Sequence, residues 1–108
     1  MIYEERFTDA ELNSVIEQGM IYMCACPAQV ADCLRTLREL LRDPNQCSEN
    51  PHNDYEVHTA IARRVSAAHE TMQRCLDEIV ELEKWDRTTM LMPEDLRKRQ
   101  MLAILSDD

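Results

Sequence analysis

The chain has 108 residues, a single glycine and 5 % aromatic residues, and its formal net charge at pH 7 is −9. This length is typical of one domain, so we predict a single domain over residues 1–108. The low glycine and aromatic content is atypical of sandwiches and barrels, and residues that favour helices dominate. We therefore predict an all-α fold. Because phosphate would be repelled by an acidic surface, we also predict no direct binding of nucleic acid.

The N-terminus lacks the charged region and apolar run of a signal peptide. No apolar stretch approaches the roughly 18–20 residues that are needed to span a bilayer. These features predict a cytoplasmic protein without a membrane partner. In that compartment the five cysteines are expected to be free thiols or metal ligands rather than disulfides.

The first helical segment begins at a capping-box pattern, Thr8-Asp9-Ala10-Glu11, which places the helix start near residue 9. Apolar residues then recur at helical spacing as far as Leu40 and Leu41. Pro27 interrupts this pattern, so it either kinks one helix or separates two. The apolar stripe crosses Pro27 without a large phase jump. It therefore favours a single Pro27-kinked arm over about 9–43.

A polar loop follows, and nothing breaks a helix from Asp54 to about Asp86, which predicts a second arm over about 54–86. Pro93 begins a short C-terminal helix over about 93–105. A short connection makes the two arms an antiparallel helical hairpin. Because two arms cover each other only thinly, we predict a homodimer that forms a four-helix bundle. A three-helix monomer is the alternative.

Soft metal ligands gather near the middle of this predicted hairpin. If the two arms are level at the loop, Cys24 and Cys26 lie opposite Cys75, with His69 within about one turn. Thiolate and imidazole suit Zn(II) or Cu(I). Free cysteine is also a common core residue, and plain packing is the leading interpretation. We therefore predict no cofactor, with a metal site at Cys24, Cys26, His69 and Cys75 as the alternative and a redox-active thiol as the third reading.

An apolar group follows the second arm: Trp85, the only tryptophan, and the triplet Met90, Leu91 and Met92. The tryptophan either caps the bundle or anchors an interface. The neighbouring triplet favours an interface, so these four residues are the predicted partner-binding surface.

Neither histidine of the second arm, His58 or His69, has a glutamate three residues before it, and the sequence contains no glycine-rich phosphate loop. A narrow helical hairpin rarely supplies the pocket that a nucleophile needs, so we predict that the chain is not an enzyme. We predict a small protein-interaction or regulatory module that binds an unidentified protein partner. A soft-metal or thiol redox sensor is one alternative, and an acidic inhibitor or nucleic-acid mimic is another.

Overall fold

The computed structural model describes residues 3–22, 25–42 and 55–106. Within these residues the secondary structure is four helices without a strand: α1 (Asp9–Ile21), α2 (Ala25–Arg42), α3 (Tyr55–Leu82) and α4 (Glu94–Ser106). The predicted all-α fold is confirmed. In the part of the chain that is described, no helix is both long and apolar enough to cross a membrane.

The start of α1 is set by a capping box. The Thr8 hydroxyl accepts from the Glu11 N–H at 3.1 Å, and the Glu11 carboxylate accepts from the Thr8 N–H at 2.8 Å. These two bonds satisfy donors that a helix start leaves without partners. The predicted start of the first helix is therefore confirmed.

The described residues between 9 and 42 form two helices, rather than the single Pro27-kinked arm that the apolar stripe favoured. α1 ends at Ile21, and α2 begins at Ala25. Pro27 lies in the first turn of α2, where a backbone N–H has no partner within the helix, so its missing donor does no harm. α1 then packs against α2. The stripe did not reveal the turn because its apolar spacing continues across it.

α2 packs against the C-terminal half of α3. Arg38, near the end of α2, contacts His69 of α3. The buried positions are Pro27, Ala31, Leu34 and Arg38 on α2, and His69, Gln73, Leu76 and Val80 on α3. On α2 the other buried positions come before Arg38, whereas on α3 they come after His69. The packed positions therefore run in opposite directions along the two helices.

The N-terminal half of α3 extends past the end of α2. Tyr55 is 14 residues before His69, about 21 Å along the axis, whereas α2 ends about 6 Å after Arg38. The overhang is therefore about 15 Å. The radius of gyration is 17.2 Å and the longest dimension is 57 Å, compared with a radius of about 13 Å for a typical domain of this length. The molecule is therefore elongated.

α3 ends in a Schellman turn that directs the chain back to the core. The Trp85 N–H donates to the Val80 carbonyl at 2.9 Å, and the Lys84 N–H donates to the Glu81 carbonyl at 3.2 Å. Lys84 has a positive φ of 60°, at the position where glycine is usual. The core that this turn helps to close contains Phe7, Leu12, Val15, Ala31, Leu34, Leu76, Val80, Trp85, Met90, Met92 and Leu96.

Replacing Lys84 by glycine should raise the free energy of unfolding by about 0.5–1 kcal/mol, because glycine adopts a positive φ without the steric penalty of a Cβ atom. Urea denaturation measures this change. Glu78→Gly, at an exposed position inside α3, is the matched control and should lower stability by about 1 kcal/mol. A Lys84→Gly variant that is less stable than the wild type would contradict the role of this turn.

Candidate functional site

Arg38 and His69 form a hydrogen bond in the interior of the protein. Each is only 1 % exposed, and the Arg38 Nε–H donates to His69 Nε2 at 2.9 Å. Because Nε2 accepts, the imidazole is neutral and carries its proton on Nδ1. The ring edge also meets Tyr3, with ring centroids 5.2 Å apart.

Carboxylates from the start of the chain neutralise this buried arginine. Arg38 Nη1 donates to Asp9 Oδ1 at 3.0 Å and lies 4.0 Å from Glu5 Oε1. Arg42, one turn further along α2, binds the same two carboxylates through Nη1 to Asp9 Oδ2 at 2.6 Å and Nε to Glu5 Oε2 at 2.9 Å. Two arginines of α2 therefore hold the N-terminal segment and the start of α1.

Gln73 completes the arrangement from α3. Its carbonyl oxygen accepts from Arg38 Nη2 at 3.3 Å and from the Arg6 N–H at 2.7 Å. Its amide donates to the Glu4 carbonyl at 2.9 Å. We name Glu5, Asp9, Arg38, Arg42, His69 and Gln73 the arginine–histidine network, of which Arg38, His69 and Gln73 are buried. The network joins the N-terminal segment, α2 and α3 through polar contacts.

The surroundings shift the pKa values of three groups in this network. Burial, followed by the positive charge of Arg38, lowers the pKa of His69. Hydrogen bonds from Arg42 are the main cause that lowers the pKa of Asp9 and of Glu5. Both shifts favour the arrangement that the geometry shows, with a neutral imidazole beside a charged guanidinium and two ionised carboxylates. The network therefore joins the N-terminal segment, α2 and α3 through contacts whose strength depends on protonation.

The predicted metal ligands are not brought together by the described residues. Cys26 is exposed and Cys75 is half-buried, while Cys24 lies outside the described residues. Cys26 is 12 residues before Arg38, about 18 Å along α2, so His69 lies towards the other end of that helix. The described part of the chain contains no group of three metal-binding side chains. A metal site remains a prediction from the sequence.

The reason for this difference is the register of the two helices. The sequence argument assumed that α2 and α3 are level at their connecting loop, whereas α3 overhangs the end of α2. This overhang places His69 opposite Arg38 instead of opposite Cys26.

The predicted partner surface is largely inside the protein. Trp85, Met90 and Met92 are buried in the core, and only Leu91 is exposed. Gln18 of α1 holds this segment, since its amide donates to the Met90 carbonyl at 2.7 Å and its carbonyl accepts from the Met92 N–H. Three of the four predicted residues therefore have a packing role within their own chain, and partner binding by them remains untested.

An exposed apolar surface lies instead on the overhang of α3. Tyr55, Val57 and Ile61 are 82 %, 54 % and 45 % exposed. Val57 and Ile61 are four residues apart, so they share one face of the helix. We name Val57 and Ile61 the α3 face. Tyr55, two residues before Val57, lies on a different side of the helix.

Arg38 and Gln73 are the residues that sequence reasoning missed. Neither was among the site residues that the sequence predicted. A signal was present, because Arg38 continues the four-residue spacing of Leu34 and Gln73 continues that of His69 on the stripes that are buried. Counting apolar residues alone cannot find such positions, since their burial depends on partners from another element.

Comparisons with protein families, with curated proteins and with solved structures found no match.

Acidification should destabilise the fold through His69. Its pKa is lowered in the folded state and is about 6.5 when unfolded, so the unfolded chain binds the proton more readily. Stability is therefore lost as the pH falls through about 6.5 towards the lower folded value. His69→Gln keeps an acceptor for Arg38 but cannot titrate, and it should lose less stability than the wild type between about pH 7 and 5.

Urea denaturation at a series of pH values measures this difference. His58→Gln is the matched control, because His58 lies outside the network, and it should retain the wild-type pH dependence. Equal pH dependence in His69→Gln and the wild type would contradict the assignment of His69 as a buried neutral base.

Proposed function

We propose that this chain is a non-catalytic helical interaction module that works as a homodimer. The observation that supports the proposal is the α3 face, whose large apolar side chains are exposed on the overhang of α3. Removal of such side chains from water stabilises association by roughly 25 cal/mol for each Å² of apolar area. The contact surface is thus α3, rather than the Trp85–Met92 segment that the sequence favoured.

A second copy of the chain suits this face for a geometric reason. Symmetric dimers place the same patch of both chains across a two-fold axis. In an antiparallel pairing of two α3 helices about Ala60, the apolar residues Val57 and Ile61 lie close to the two-fold axis, where both copies bury them.

The acidity of the chain makes the proposed dimerisation depend on the salt concentration. Two copies with a net charge of −9 each repel one another at long range. Salt screens this repulsion, with a Debye length of about 8 Å at 0.15 M ionic strength. Apolar contacts at the centre of the α3 face are screened little. Association should therefore strengthen when the ionic strength rises from low values.

The alternative functions, a soft-metal or thiol redox sensor and an acidic inhibitor or mimic of nucleic acid, remain predictions from the sequence. The cytoplasmic location also remains a prediction.

Light scattering across a concentration series should give a mass that rises from 12.6 kDa to twice that value. Ile61→Glu places a charge on the α3 face next to the proposed two-fold axis at Ala60. It should weaken dimerisation at least tenfold, which corresponds to about 1.4 kcal/mol.

Thr71→Glu is the matched control, because it adds the same charge to an exposed position in the C-terminal half of α3, which packs against α2. It should dimerise as the wild type does. A wild-type mass equal to one chain at every concentration, or equal association of the two variants, would contradict the proposal.

A further inference from the structure

An open apolar groove lies between the end of α1 and the outer side of α4. Tyr22, the C-cap residue of α1, lines one side, and Met101 and Leu102 of α4 line the other. Its volume is about 480 Å³, within the range of roughly 300–1,000 Å³ that is usual for ligand sites. Three charged residues complete the lining, namely Glu94, Arg97 and Lys98.

α4 is attached by one side and leaves this lining side free. Leu96 is buried in the core, whereas Met101 and Leu102 are exposed. The lining residues of α4 recur at spacings of three and four, so they form a single stripe along the helix. Leu105, which is also exposed, continues that stripe. A stripe of this kind is the surface on which another amphipathic helix packs.

One of the two basic side chains in the groove has an acidic partner, and the other has none among the described residues. Lys98 Nζ is paired with Glu94 Oε1 at 3.2 Å. Arg97 forms no side-chain hydrogen bond or ion pair with the described residues, and its Nε is withdrawn from solvent without an acceptor. A buried N–H that lacks an acceptor is unfavourable. The Arg97 side chain lines the groove, so a carboxylate that enters the groove would pair with its guanidinium, which is otherwise unpaired among the described residues, and arginine is suited to bind carboxylates.

We propose that this groove is a docking site for an acidic amphipathic helix of another protein. Its apolar side chains pack on Tyr22, Met101 and Leu102, and one of its carboxylates accepts from the Arg97 guanidinium. The site lies on α1 and α4, so it is separate from the α3 face and goes beyond the proposed dimer. The net charge of −9 opposes an acidic partner at a distance, hence selectivity comes from Arg97 at short range.

The experiment uses three synthetic peptides of 18 residues, each with one stripe of leucines along a helix. The first peptide carries glutamate beside the leucines, the second carries glutamine, and the third carries lysine at the same positions. Fluorescence anisotropy measures their binding to the full chain at 0.15 M salt. The glutamate peptide should bind at least tenfold more tightly than the glutamine peptide, and the lysine peptide should bind more weakly than the glutamate peptide.

Arg97→Met keeps the apolar stem of the side chain but removes the guanidinium. It should abolish the preference for glutamate over glutamine. Arg99→Met is the matched control, because Arg99 is exposed on α4 and does not line the groove, and it should keep the preference. Leu102→Glu, a second variant, should weaken binding of the glutamate peptide at least tenfold, and circular dichroism checks that each variant is folded.

Three results would overturn the proposal. One is equal binding of the glutamate and glutamine peptides, or no measurable binding of either. Another is binding of dodecanoate that depends on Arg97 while the glutamate peptide does not bind, which would make the groove a site for a small apolar acid. The third is loss of dimerisation in Leu102→Glu without peptide binding by the wild type, which would make the groove a contact between copies.

Discussion

The guanidinium of Arg38 lies in the interior, where a charge is stable only if partners compensate for the water that it has lost. Its three acceptors come from two other helices: Asp9 at the start of α1, and His69 and Gln73 on α3. The positions of these segments are therefore coupled, since a shift of any one leaves a buried charge without an acceptor. An apolar core of similar size would tolerate small shifts more easily, because hydrophobic contacts are not directional.

The register that Arg38 imposes explains the shape of the molecule. Pairing with His69 leaves the first half of α3 beyond the end of α2, so Tyr55, Val57 and Ile61 have no cover from that helix. At the other end, Gln18 acts in a comparable way by binding backbone groups of the segment that contains Met90. Both polar contacts fix elements whose apolar surfaces alone would not select one position. The exposed α3 face is thus a consequence of the interior.

The sequence predicted what depends on neighbouring residues. The all-α class and the capping box at Thr8 were predicted correctly, because propensity and capping are local. The buried stripes of α2 and α3 include Arg38 and His69, and their burial was not predicted because it depends on distant partners. The separation into two helices at Pro27 was one of two alternatives, and the apolar spacing favoured the other because it continues past the proline. Trp85 was expected at an interface because no local signal indicates the turn that brings it inside.

A double-mutant cycle between Arg38 and His69 tests the central role of this network most directly. Arg38→Met and His69→Leu each remove one partner and keep much of the side-chain volume, and urea denaturation gives the free energy of unfolding of both single variants and of the double variant. The account predicts that the double variant is more stable than the sum of the single effects allows, with a coupling of about 1 kcal/mol or more. Effects that add to within about 0.3–0.5 kcal/mol would contradict it.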